Sequence, residues 1–457
     1  MPEDASRPNV LFIMADQFRA DHLGSAGGGF VRTPNLDRLA ARGVRLRHCC
    51  TNSPVCAPAR IGLATGLQPV RLGATDNRAF LPLSVPTYYQ RLRDRGYRVG
   101  CVGKLDLAKP DPYNGRHGDR PCVYGWGFTH PEECEGKMHA GGSPTPRGPY
   151  GFWLQERGLY DTFHADYAAR SATGWVKDAL HDSALPTEAF EDAYIGRRAA
   201  QWLADVPDDF PWHYFVSFVG PHDPFDPPTE YADRYRDAPM PPAVADSLES
   251  KPAWVRGKAL GLSDEEVAIS RRQYCAAIAV IDDAVGRMVE ALEQRGMLDN
   301  TIIAFSSDHG EMLGDHGLYK KSLPYEAALR VPLIVAGPGV AAGQTSDALV
   351  ELIDVNPTLC ELAGLPPQEN IDARSFAPIL RGEAAEHRTE TVSAHRHFRL
   401  IRTCRHKLIE HHYGERELYD LAEDPDELRN VAAEEPDTVR ALHVRMIERY
   451  AEGKWRR

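Results

Sequence analysis

The chain has 457 residues, enough for one large domain with a smaller appendage, and at 42% hydrophobic and 26% charged it can bury a sizeable core. Its net charge of -12 argues against nucleic acid or an anionic membrane as partner, so a site for an anionic substrate must build its own positive field. No run approaches the roughly 18 apolar residues of a membrane span. The apolar stretch after the polar start, Val10 to Ala15, is too short for a signal-peptide core, so the expectation is a cytoplasmic protein. Nine cysteines without a Cys-x-x-Cys pair suggest mostly reduced, buried thiols.

In chain order, Asn9 to Ala15 reads as a strand buried on both faces, with Asp16-Gln17 at its end. Thr33-Pro34-Asn35 opens a helix that Gly43 stops. Ser53-Pro54-Val55-Cys56-Ala57-Pro58-Ala59-Arg60 follows and runs into a helical segment, Ile61 to Thr65. A helix from Pro86 to about Arg95 leads to the strand Tyr97 to Val102 and then Lys104. The stretch 109–149 is rich in Gly, Pro, His and Cys and is expected to form part of the substrate rim. Ala189 to Ala204 is helical, His213 to Val219 a strand, and Pro221-His222-Asp223 its exit. Ser263 with Glu266 forms a capping box on a helix that runs to about Arg295. Thr301 to Ser307 and Val331 to Ala336 are further strands, and Asp354 to Ala363 a helix. Short strands and a helix from about Pro436 make up the tail. The pattern predicts an α/β fold with a mostly parallel sheet flanked by helices, a catalytic domain over 1–382 and a small C-terminal α+β subdomain over 383–457.

Four strands end in a polar residue: Asp16, Lys104, His222 and Asp308. Sites in open parallel sheets form beyond the carboxyl ends of the strands, which places these residues on one rim. Asp16, Asp308 and His309 form a carboxylate-rich donor set that favours a hard cation over zinc, although a strand-end aspartate taken singly more often caps a helix or turn. Cys56 by itself reads as a core thiol and Arg60 as a surface charge. A cysteine-phosphatase loop does not fit, because the arginine comes four residues on with no Gly-rich cradle between. A Cys-His protease pairing stays open, though no protease signature surrounds Cys56 or any histidine. Lys104, Lys321 and His222 would supply positive field and a proton for an anionic ester.

Cys56-Ala57-Pro58-Ala59-Arg60 resembles the signature of the type I, formylglycine-dependent sulfatases of the alkaline-phosphatase-like superfamily. So do Asn9 to Gln17, Thr33 to Asp37, Gly100 to Lys104, Pro221 to Phe225, Ser307 to Lys321 and Leu418 to Leu421, in the same order. The nearest resemblance is to the choline-sulfatase and phosphonate monoester hydrolase branches. It implies an alkaline-phosphatase-like fold and oxidation of Cys56 to formylglycine by a maturing enzyme. One hydroxyl of the formylglycine hydrate would attack sulfur, and the second would lose its proton and expel sulfate. It further implies that Asp16, Gln17, Asp308, His309 and the modified Cys56 hold one divalent metal, Ca2+ first and Mn2+ or Mg2+ next, and that Asp308 activates the attacking hydroxyl. Arg60 and Lys104 would hold the formylglycine, His222 and Lys321 would bind sulfate and assist the leaving group, and Asn77 would sit in the sulfate pocket.

One departure stands out. The family usually reads Gly-Lys-x-His, and this chain reads Gly103-Lys104-Leu105-Asp106, so Asp106 takes the place of the base for the diol proton. The expectation is a sulfuric ester hydrolase acting on a small anionic sulfate ester. A phosphonate monoester or phosphodiester hydrolase is the alternative, and a non-catalytic member of the fold a third reading.

Overall fold

A computed structural model describes residues 7–176 and 179–451. An eight-stranded sheet forms its centre, in the order β4-β3-β5-β1-β6-β7-β2-β8. The strands are β1 (Asn9–Asp16), β2 (Gly43–Cys50), β3 (Arg98–Gly103), β4 (His130–Glu133), β5 (Trp212–Pro221), β6 (Thr301–Ser307), β7 (Arg330–Ala336) and β8 (Gln344–Glu351). Pairing is parallel throughout except at β7, which is antiparallel to both β6 and β2.

Central strand β1 is buried along its whole length because helices cover both faces. Successive side chains alternate between two cores. Leu11, Ile13 and Ala15 join a core with the helices Glu191–Asp205 and Asp264–Gln294, while Val10, Phe12 and Met14 face the helices Cys56–Thr65, Tyr88–Asp94 and Val355–Leu362. The expected capping box holds: Ser263 Oγ accepts from the Glu266 N–H, and Glu266 reaches back to the Ser263 N–H at 2.8 Å.

A second sheet of four antiparallel strands, β9 (Thr391–His395), β10 (Phe398–Arg402), β11 (His406–His411) and β12 (Arg416–Asp420), lies in the tail. One face packs Leu400 and Ile409 against Tyr325 and Leu329. The other packs Ile401 and Leu408 against Leu442 and Met446 of the last helix, Pro436–Ala451.

Three strands of the large sheet were not expected: β2, β4 and β8. The consequence for β2 is direct. It runs parallel to β1 and β6, so its C-terminal end reaches the same rim and hands the chain to Cys56. Five strand ends, those of β1, β2, β3, β5 and β6, therefore converge on one edge. All nine cysteines are free and seven are buried. Among the described residues no helix is long and apolar enough to cross a membrane.

Candidate active site

Cys56 is the first residue of the buried helix Cys56–Thr65, and Arg60 follows one turn later on the same face. That is the physical sense of the Cys-x-x-x-Arg spacing. The Ala57 N–H donates to Asn77 Oδ1 at 3.1 Å, which seats Asn77 against the helix start.

Cys56 Sγ lies 3.3 Å from His309 Nε2, 3.7 Å from Asp16 Oδ1 and 3.2 Å from Lys321 Nζ. The ligand atoms of Asp16, Cys56, Asp308 and His309 all fall within 4.8 Å of one another and are buried. His309 Nδ1 meets the Gly310 carbonyl at 2.9 Å; a proton there leaves the Nε2 lone pair turned to the cluster. Two buried carboxylates, an imidazole nitrogen and the residue-56 donor fit a divalent cation. Burial without a counter-charge would be costly for the two acids.

Arg60 supplies part of that counter-charge. Its Nε donates to Asp308 Oδ2 at 2.8 Å and its Nη2 to Asp16 Oδ2 at 3.3 Å, while Nη1 donates to Ser217 Oγ at 2.7 Å and to the Lys104 carbonyl at 2.5 Å. Arg60 thus braces the carboxylates of two strands. Lys104 Nζ also binds Asp16 Oδ2 and lies 3.2 Å from Asp106. Gln17 sits at a positive φ of 72°. Its N–H donates to Asp308 Oδ1 at 3.1 Å, its Nε2 donates to Asp223 and Glu311, and its Oε1 accepts from Lys321 Nζ at 2.8 Å. Lys321 also contacts His222 Nε2, and His222 Nδ1 is held by the Asp223 carbonyl at 2.5 Å. All eleven sequence candidates therefore gather at one rim.

Their electrostatics separate roles. Burial and Asp16 oppose a thiolate at Cys56, but Lys104, Lys321 and Lys109 outweigh them and hold the thiol well below its ordinary range. Burial would raise the Asp106 carboxyl, yet Lys104, Lys109 and Arg60 hold it far below the usual carboxylate range. Such a carboxylate stays charged and takes up a proton poorly.

Ser217, Glu311 and Lys109 lie among these residues but were not sequence candidates. Ser217 looks like filler inside an apolar strand, yet it orients Arg60. Buried Glu311 accepts from Gln17 Nε2 and from the Leu313 N–H at 3.0 Å, and the signal was its place directly after Asp308-His309-Gly310. Lys109 reaches Asp106. A cavity of about 250 Å³ opens between Asn77, Lys104, His222 and Lys321, with Gly136 to His139 of the irregular stretch on its wall.

The sulfatase family model matches residues 8–365. The chain belongs to the sulfatase family. A second model, N-sulphoglucosamine sulphohydrolase, C-terminal, matches residues 314–452. The choline-sulfatase of Rhizobium meliloti (strain 1021) is 32% identical over 454 residues, covering 93% of this chain and 82% of that relative. An arylsulfatase of Clostridium perfringens (strain 13 / Type A) is 28% identical, covering 98% and 96%. The phosphonate monoester hydrolase of Agrobacterium radiobacter superposes with a TM-score of 0.82 at 28% identity, covering 98% of this chain and 96% of that one. The expected fold and family are both borne out, and the enzyme is a sulfuric ester hydrolase.

Proposed function

We propose that the enzyme acts through residue 56 after a maturing enzyme converts Cys56 to formylglycine. Asp16, Asp308, His309, residue 56 and the Gln17 side-chain oxygen would hold one divalent cation, which we take to be Ca2+ because oxygen donors dominate the set. The observation that carries this reading is the convergence of buried donors and two ammonium groups on the single atom Cys56 Sγ. When present, the modified residue would supply a hydroxyl nucleophile and the cation would stabilise negative charge beside it.

The remaining roles fall to side chains already in place. Asp308 is positioned by Arg60 to accept the proton of the attacking hydroxyl. Lys104, Lys321 and Asn77 surround the space for the sulfate oxygens. The His222–Lys321 pair faces that space and would pass a proton to the departing alcohol oxygen. Asp106 fits a positioning role for Lys104 and Lys109 better than the base role expected from its place in the motif.

A phosphonate or phosphodiester centre would use the same donors, and the likeness to the phosphonate monoester hydrolase makes it the second reading. Rates on matched aryl sulfate, phosphodiester and phosphonate esters decide between them. The sulfate rate is expected to be highest, and a dominant phosphodiester or phosphonate rate would overturn the sulfate reading. The nine free cysteines accord with a cytoplasmic setting. We retain the division into 1–382 and 383–457 as the proposed domain boundary.

A further inference from the structure

The pocket beside Cys56 has a lopsided charge. Five lysines line it, Lys104, Lys109, Lys137, Lys320 and Lys321, against the single carboxylate of Asp223. Most of the acids that balance them sit behind the wall. Asp16 and Asp106 bind Lys104, Asp106 also binds Lys109, and buried Asp226 binds Lys137 at 2.5 Å. No Phe, Tyr or Trp ring lines the space.

The lysines are also graded in depth. The Lys104 and Lys137 side chains are 5% and 2% exposed, Lys109 15% and Lys320 35%. Lys321 reaches Cys56. The reacting ester anion therefore belongs beside Lys321 and Lys104, and the rest of the substrate must leave past Lys109 and Lys320. Asp106, at a positive φ of 56° three residues before Lys109, tethers that ammonium to the wall. Asp223 holds Lys320 at 3.1 Å.

We propose that the alcohol half of the substrate carries its own anionic group, a carboxylate or a second sulfate or phosphate, bound by Lys109 and Lys320 at the outer wall of the pocket. The inner end of this substrate rests on the sulfatase reading above. A cationic, choline-like alcohol does not suit the wall. It would meet five lysines against one lining carboxylate, Asp223, and find no Phe, Tyr or Trp face.

Three unreactive sulfonates of matched size test this: 4-methylbenzenesulfonate, 4-carboxybenzenesulfonate and 4-(trimethylammonio)benzenesulfonate, titrated calorimetrically into metal-loaded protein. The carboxylated ligand is expected to bind about 10-fold more tightly than the methyl one, the scale of one hydrogen-bonded charge pair, and the trimethylammonio ligand most weakly. Lys109→Met and Lys320→Met are each expected to remove most of that ratio, and Lys109→Glu to turn it toward the trimethylammonio ligand. Equal affinities in the unaltered protein, a ratio that the variants leave intact, or a uniform loss across all three ligands would overturn the proposal. If the carboxylated sulfonate is preferred but aryl sulfate is not turned over, the anion site stands and the sulfatase reading of the inner end fails.

Discussion

Cys56 takes its meaning from side chains that are distant in sequence. Asp16 is 40 residues before it and His309 253 after, yet both contact its sulfur. The eleven candidate residues were legible because each follows a strand end or lies in an ordered motif. Ser217 and Lys109 were not, because a serine among apolar residues and a lysine in an irregular stretch carry no periodicity. If the His222–Lys321 pair protonates the leaving group, His222→Ala should lower kcat by about 10²–10⁴-fold on a poor alkyl leaving group and far less on a nitrophenyl one. A uniform loss on both would count against proton donation. Asp106 is held far below the usual carboxylate range, so it contributes no titration near neutrality. The Asp106→Asn variant should keep both limbs of the wild-type pH–rate profile, and disappearance of one limb would restore Asp106 as the base.

Secondary elements position these residues, and they differed in how far the sequence disclosed them. β1 and β6 each hold an unbroken apolar run, Val10 to Ala15 and Ile302 to Phe305. β2 carries Arg45, Arg47 and His48 in its middle, β4 consists of His-Pro-Glu-Glu, and the first half of β8 is largely exposed. Edge position hid β4 and β8, and polar or charged side chains hid all three, since only neighbouring strands make them strands. The capping box was legible because it is local. Ser263→Ala should cost about 1 kcal/mol in denaturant unfolding and leave kcat alone. Asp192, at the start of the helix Glu191–Asp205, fixes the end of β5 by accepting the Val219 and Gly220 N–H groups at 2.9 and 3.0 Å. Burial raises its carboxyl to about 6 against the pull of Lys137 and those donors. Its pKa in the unfolded chain is about 3.9. The folded state thus prefers the protonated acid, and this contribution is full below about pH 4 and lost as pH rises through about 6. Asp192→Asn should flatten roughly 2–3 kcal/mol of pH-dependent stability across that window. An unchanged slope in urea midpoints from pH 4 to 7 would refute the assignment.

At the scale of the whole molecule, the end of β8 ties the large sheet to the tail. Glu351 accepts from Arg449 at 2.7 Å, from Gln68 at 3.1 Å and from the Val392 N–H at 2.9 Å, and Arg388 Nε donates to Asp354 at 2.6 Å. Removing Arg388 leaves buried acids short of a partner, so Arg388→Ala should lower stability by about 3–5 kcal/mol. Three of the four tail strands, β9 to β11, were visible in sequence, but their docking was not, because these ion pairs join residues separated by up to 98 positions. The central claim concerns one atom. It is tested most directly by the mass of the peptide that spans Cys56, taken from protein co-expressed with a maturing enzyme and correlated with aryl sulfate turnover. An aldehyde at position 56 whose fraction tracks kcat is the expected result. An unmodified thiol in fully active protein would contradict it.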